Sequence, residues 1–285
     1  MHKSIDIAEK NYRGLVIGND AANFSAGANI AMMLMLAIEQ EYDELDMAIR
    51  YFQNTIMRVR YSGIPVAVAP HGLTLGGGCE MTMHSDVAVA AAETYIGLVE
   101  VGAGLIPAGG GTKELALRAS DKYFKGDIEI PTLQEMSLNI AMAKVATSAR
   151  EAFDLGILRK GIDIEVMNSN RVIADAKNAV LELANNGYTP PQQRSDIKVL
   201  GRSALGSFYT GIASMRMGNY ISAHDEMIAK KVCYVICGGD LSAPTEVNEQ
   251  YLLDLEREAF LSLLGEKKTL ERMQFILKTG KPLRN

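Results

Sequence analysis

The sequence predicts an α/β protein, and three observations predict it. Three short, largely apolar runs read as strands buried on both faces: "RGLVIGN" (13–19), "IPVAVAPHG" (64–72) and "DVAVAAAE" (86–93). Between the first two, Tyr42–Arg60 places Leu45, Ile49, Phe52, Ile56 and Val59 three or four residues apart, the spacing of one helix face. Beyond about residue 165 the strand signals fade and helical patterns take over. The expected organisation is therefore a strand-and-helix core over residues 1–165 and a helical C-terminal region over 166–285.

Each element has a local reason. "RGLVIGN" is closed by Gly-Asn, and "NFSAGANI" (23–30) is a loop of small residues. In the helix 42–60, Asp43, Glu44, Arg50, Gln53 and Arg58 fill the face opposite the apolar one. Gly63 and Pro65 then end it. After the second strand, "CEMTMHS" (79–85) reads as a short helix and "GGGTKELALRA" (109–119) as a longer one opened by Gly and Thr. "SAREAFDLGIL" starts with the capping-box pair Ser148 and Glu151. "NRVIADAKNAVLELANNG" is a helix stopped at Gly187, and "GYTPPQQR" is a linker. "PTEVNEQYLLDLEREAFLSLLG" and "KKTLERMQFILKTGKP" are two further helices, each ending at glycine.

Composition narrows the function classes. A net charge of −5 argues against a nucleic-acid partner, which asks for a basic face. "IAMMLMLAI" is too short to span a bilayer, and "MHKSIDIAEKNYR" lacks the apolar segment of a signal peptide, so a cytoplasmic protein with no membrane partner is expected. Cys79, Cys233 and Cys237 form no disulfide framework and no zinc-type pair. No metal is expected, and the two cysteines of "CYVIC" read as buried small apolar residues.

Two glycine runs, "LGGGCEM" (75–81) and "IPAGGGT" (106–112), alternate with two glutamates in apolar surroundings, Glu80 and Glu100. Neither run fits a phosphate loop or a dinucleotide fingerprint. In "GGGTK" the threonine precedes the lysine, and neither run has the G-x-G-x-x-G spacing. Glycines also let a backbone approach a ligand closely and present N–H groups to a developing oxyanion. "LGGGCE" lies between a strand and a helix, and "FSAGAN" is a second small-residue turn. A carboxylate in apolar surroundings has a raised pKa and suits proton transfer near neutral pH.

"FSAGANI", "LGGGCEM" and "LVEVGAGLIPAGGGT", in this order and spacing, resemble the signature segments of the enoyl-CoA hydratase/isomerase (crotonase) superfamily. "SAREAFDLGIL" is similar to a later helix of that family and "ERMQFILKTGKPL" to its last one. More narrowly, the chain resembles the C-terminal hydratase part of bacterial multifunctional 3-hydroxyacyl-CoA dehydrogenases of fatty-acid oxidation. The resemblance implies a spiral ββα core with a helical C-terminal region. It implies an acyl-CoA thioester as ligand, with coenzyme A part of the substrate and no other cofactor. It also implies a homo-trimer or hexamer, and a thiolase or dehydrogenase partner. By position, the N–H groups of Ala28 and Gly77 match the oxyanion hole, and Glu80 and Glu100 match the two hydratase carboxylates. Ala26, Phe275 and Lys278 match contacts to the coenzyme A handle.

The chemistry this implies is hydration of a 2-enoyl-CoA to a 3-hydroxyacyl-CoA. Addition of water builds enolate charge on the thioester oxygen. Glu80 would activate the water and Glu100 would protonate the α-carbon. The rival readings are a Δ3,Δ2-enoyl-CoA isomerase and a non-catalytic acyl-CoA-binding or assembly module. The Met-rich "AMMLM" reads equally as tunnel lining and as ordinary helix core. Three departures from the family pattern stand out: Asn29 for its Asp, Ala108 for a glycine, and an expected absence of the family's N-terminal β-hairpin, which would leave a sheet edge open.

Overall fold

A computed structural model describes residues 1–285. The chain runs α1 (His2–Asn11), β1 (Leu15–Ile17), α2 (Ile30–Ile38), α3 (Tyr42–Arg60), β2 (Val66–Val68), β3 (Leu73–Leu75), α4 (Gly77–Met83), β4 (Val87–Ala91), β5 (Tyr95–Gly97), a 3-10 turn (Glu100–Ala103), α5 (Gly111–Ser120), α6 (Ile130–Ala141), β6 (Val145–Ala146), α7 (Ala149–Asp154), β7 (Ile164–Val166), α8 (Val172–Asn185), β8 (Ile197–Val199), α9 (Arg202–Met217), α10 (Ala223–Ile236), β9 (Thr245–Val247), α11 (Glu249–Leu264) and α12 (Lys267–Thr279). These elements form two compact units. One holds residues 1–28, 51–98 and 145–193, the other 29–50, 99–144 and 194–285. No helix is long and apolar enough to cross a membrane.

The first unit is built on a four-stranded parallel sheet in the order β1-β2-β4-β7. Alternation along the strands assigns its faces. Ala67, Ala69, Val87, Val89, Ala91 and Val166 pack with Val172, Ala176, Ala179 and Val180, three of these from α8 beyond its first residue. Val66, with Leu15 and Ile17, packs instead with Ile5 of α1, Val59 of α3 and Met81 of α4. The three apolar runs of the sequence thus become β1, β2 and β4. A smaller sheet, β3-β5-β6, pairs β3 with β5 in parallel and β5 with β6 antiparallel.

Residues 2–11 form helix α1, which periodicity did not flag. Its docking is both apolar and ionic. Ile5 is buried, and the Glu9 carboxylate accepts from Arg58 at 2.8 and 2.6 Å and from the Gly63 N–H at 2.7 Å. The hydrogen bond from Arg58 is the main reason the Glu9 carboxyl sits at about 2 rather than 4.5. A depressed carboxyl pKa stabilises the fold above the unfolded value, and this stability is lost as pH falls through the folded value. Glu9→Gln is therefore expected to cost about 1–2 kcal/mol at pH 7. Urea unfolding of both proteins should show the gap closing between pH 4.5 and 2. A gap that is constant across this window would show that the carboxylate charge is not what holds α1.

The second unit is helical, with a two-stranded antiparallel pair β8–β9. Helix α10 packs against α5, α6, α9 and α11, and α2 packs against α12. Helix α10 starts with a complete capping box, Ser222 and Asp225. Cys233 and Cys237 are buried, and burial raises both thiols well above their ordinary range, to about 12 for Cys233. They sit as the small core residues the sequence predicts.

A set of buried charges ties α5 to α11. Lys113 is fully buried, and its Nζ lies 2.8 Å from Glu249 and 3.2 Å from Glu114. Glu114 also accepts from Arg118 Nε at 2.9 Å. Glu256, likewise fully buried, accepts the Gly110 N–H at 2.9 Å and the Lys113 N–H at 2.6 Å. The first turn of α5 is thus capped by a carboxylate from another helix, which satisfies amide donors that have no partner within α5.

Candidate active site

The first unit carries Ala26, Ala28, Gly77 and Glu80. The loop 25–28 lies beside β3. Ser25 N–H donates to the Leu73 carbonyl and Leu75 N–H to the Ser25 carbonyl, both at 2.9 Å. It leaves the strand where β3 runs into the glycines, and a Cβ on Gly27 would lie 3.7 Å from the Leu75 carbonyl oxygen. Two backbone turns are therefore held side by side. The Ala28 and Gly77 N–H groups donate to no acceptor within the protein.

Each glycine of the first run has its own reason. Gly76 caps α4 at φ 55° and ψ −123°, a conformation that residues with a Cβ avoid. A Cβ on Gly77 would come within 2.9 Å of the Phe52 ring, and one on Gly78 within 2.5 Å of Ser25 Cβ. Helix α4 accordingly starts at the glycines, two residues earlier than its sequence suggests. Gly77→Val must push Phe52 aside and bring branched carbons over a free amide. It is expected to lower kcat on the order of 10²–10³-fold, the usual worth of one oxyanion donor. Steady-state kinetics on a folded variant decide this, and normal turnover would take Gly77 out of the site.

Glu80 is 2 % exposed, inside the first turn of α4. Its carbonyl oxygen accepts from His84 Nδ1 at 2.7 Å, so that nitrogen carries the proton.

The second unit carries Glu100, Phe275 and Lys278. Glu100 opens the 3-10 turn and is half-buried; Phe275 is half-buried and Lys278 exposed on α12. Val101 and Gly102, which follow Glu100, border a cavity of about 460 Å³ whose walls include Leu138, Phe208 and Met215. Asn29 accepts the Met32 N–H at 3.1 Å and caps α2, a structural role for the residue that stands where an Asp was expected. On α2, Leu34 and Leu36 are buried while Met32 and Met35 are exposed. Ala108 is buried and has no positive φ, so it needs no glycine. In the second glycine run the Gly110 N–H, with that of Lys113 beyond it, is engaged internally by Glu256.

Reasoning from sequence missed Phe52 and Ser25, which make the first glycines obligatory, and Glu256. It also missed the contacts of α12 to the Glu100 turn. Phe52 was legible only as an apolar helix position and Glu256 only as one charge in a helix.

The fold and this loop arrangement define the class: the protein has the crotonase fold. It superposes on an enoyl-CoA hydratase from Rhodobacter sphaeroides 2.4.1 with a TM-score of 0.64, at 19% identity, over 100% of this chain and 84% of that one. It superposes on a carnitinyl-CoA dehydratase from Mycobacterium thermoresistibile with a TM-score of 0.63, at 15% identity, over 98% and 81%. Residues 2–124 match the family described as enoyl-CoA hydratase/isomerase. The whole chain is 46% identical over 285 residues to a probable 3-hydroxyacyl-CoA dehydrogenase of Bacillus subtilis (strain 168), covering 36% of that protein. It is 27% identical over 292 residues to a putative fatty acid oxidation complex trifunctional enzyme of Rickettsia felis, covering 95% of this chain and 34% of that protein. The enoyl-CoA hydratase/isomerase match takes in residues 2–124, and the chain spans about a third of the length of the curated relatives it matches.

Proposed function

We propose that this chain hydrates 2-enoyl-CoA thioesters as part of fatty-acid oxidation. The Ala28 and Gly77 N–H groups hold the thioester oxygen, Glu80 activates the water and Glu100 protonates the α-carbon. Ala26, Phe275 and Lys278 meet the coenzyme A handle. The apolar cavity bordered by Val101 and Gly102 gives room to the acyl chain. The thioester chemistry falls to residues 1–165, with 166–285 as the helical region. The working form is a homo-trimer or hexamer in the cytoplasm, with a thiolase or dehydrogenase partner.

The observation that carries this reading is the pair of free backbone amides on adjacent turns, with a buried carboxylate one turn into the helix that starts there. Conjugate addition of water needs donors aimed where enolate charge develops, and donors fixed in advance do not have to reorganise. The carboxylates supply proton transfer on both sides of the double bond. The test is incubation with a short 2-enoyl-CoA, read as loss of its conjugated absorbance and appearance of the 3-hydroxyacyl product. Turnover of a 3-enoyl-CoA in its place would assign an isomerase, and binding without turnover of either would assign a non-catalytic module.

A further inference from the structure

The turn that carries Glu100 is four residues long; its backbone bonds run from Gly102 N–H to Val99, Gly104 N–H to Val101 and Leu105 N–H to Glu100, each at 3.0 Å, and 3-10 hydrogen bonds have poorer geometry than those of an α-helix. It is held from outside by α12. Thr269 Oγ1 donates to the Gly104 carbonyl, which closes the turn, at 2.9 Å. Arg272 Nη1 approaches the Val101 carbonyl at 3.4 Å. Both side chains are fully or almost fully buried, 0 % and 1 % exposed. Gly104 lies at φ +87°, and a Cβ there would meet Thr269 Cα at 2.9 Å, so helix and turn touch backbone to backbone.

A further layer of contacts fixes α12's two residues. Asp225 accepts from Arg272 Nη2 at 2.8 Å, and Asn285 accepts from its Nε at 2.9 Å. His224 Nε2 lies 2.9 Å from Thr269 Oγ1. The threonine has one hydroxyl hydrogen and gives it to a carbonyl, which can only accept. His224 must therefore present Nε2–H to Thr269. Burial, with Arg272 and Lys268 nearby, lowers the His224 pKa to about 4, so at neutral pH the ring is neutral and holds this one tautomer.

We infer that Thr269, oriented by His224, is a positioning residue that aligns Glu100 by fixing the end of its turn. The inference rests on the reading of Glu100 as a proton-transfer group. Thr269 acts through the Gly104 carbonyl. Helix α12 also carries Phe275 and Lys278, about 1.7 and about 2.5 turns beyond Thr269. One rigid helix thus joins the handle contacts to the turn that bears the acid.

The test uses the full chain and a 2-enoyl-CoA. Thr269→Val keeps the volume and removes the donor. A small misplacement of a catalytic group costs rate rather than binding, so kcat is expected to fall ~10–100-fold with KM within ~2-fold. Thr269→Ser restores the hydroxyl and should stay within ~3-fold of the parent. In a Glu100→Gln background, Thr269→Val should add less than ~2-fold, because groups that act as a unit are non-additive. His224→Leu leaves the Thr269–Gly104 bond in place and should lower kcat ~3–10-fold; with Thr269→Ser it decides the matter should Thr269→Val not fold.

An unchanged kcat in Thr269→Val or His224→Leu, or a loss in Thr269→Val that multiplies that of Glu100→Gln, overturns the inference. Full activity of Glu100→Gln alone overturns the reading beneath it, and that result is seen before Thr269 is altered.

Discussion

Glu80→Gln and Glu100→Gln should each lower kcat for 2-enoyl-CoA hydration by roughly 10²–10⁴-fold, the usual worth of a positioned acid or base. Glutamine keeps the shape and part of the hydrogen bonding and removes the titratable charge. The double variant should be scarcely slower than the poorer single one, because in the proposed mechanism the two groups act as a unit. Affinity for the coenzyme A handle should hold, since this reading gives neither carboxylate a contact to it. Glu80 is the more demanding case. It is almost fully buried in a helix that begins with two glycines, after a third at its N-cap. The measurement is steady-state hydration by both single variants with their melting temperatures. Loss in only one sinks the two-carboxylate mechanism and favours isomerisation, and loss in neither returns both residues to structural duty.

Lys113→Met should be the most destabilising single change among those considered, about 3–5 kcal/mol. Lys113 is fully buried between Glu249 and Glu114, and methionine nearly matches its volume without its charge. The cost arises from the partners left behind. Glu114 retains Arg118, whereas Glu249, which also accepts the Arg194 N–H at 3.1 Å, loses the buried ammonium that faces its charge. Removing that charge as well, in Lys113→Met with Glu249→Gln, should recover a large part of the loss, since a neutral pair carries no uncompensated ion. Urea unfolding of the three variants reads this directly. A loss of less than about 1 kcal/mol in Lys113→Met would mean that water reaches the site and screens it. Against a total stability of about 5–15 kcal/mol the expected change is large, and reduced yield of soluble protein should accompany it.

The sequence was most legible where one local pattern had one physical meaning. The runs that became β1, β2 and β4 are apolar on both faces because helices cover the sheet on both sides, and such strands announce themselves. The helix Tyr42–Arg60 has one apolar stripe and matches its expected bounds. Strands β5, β6 and β7 are as short as β1 and β2 but two of them carry a polar or charged residue or an exposed ring, and they exist through pairing. Helix α1 was missed because one of its principal anchors is a long-range ion pair, Glu9 with Arg58, that no local window contains.

The site follows the same rule. Glu80, Glu100 and the glycines could be singled out because carboxylates and glycine runs are unusual in apolar surroundings. The residues that make those glycines obligatory, Phe52 and Ser25, look ordinary in sequence and owe their importance to where the chain returns. His224 and Thr269 are 45 residues apart and meet only in the folded protein.

The carboxylate of Glu256 has a wider consequence. The amino end of α5, with its three glycines, has the look of a receptor for a phosphate, yet its seat is taken by an anion from the protein itself. A nucleotide phosphate offered there would meet like charge and engaged donors, whatever its concentration. On the proposed reading the electrostatic grip on a phosphorylated handle in this unit comes from an exposed cation, Lys278, and salt weakens it. Raising the ionic strength should loosen such a ligand and leave α5 undisturbed, because its own counter-charge is covalently tethered and dry.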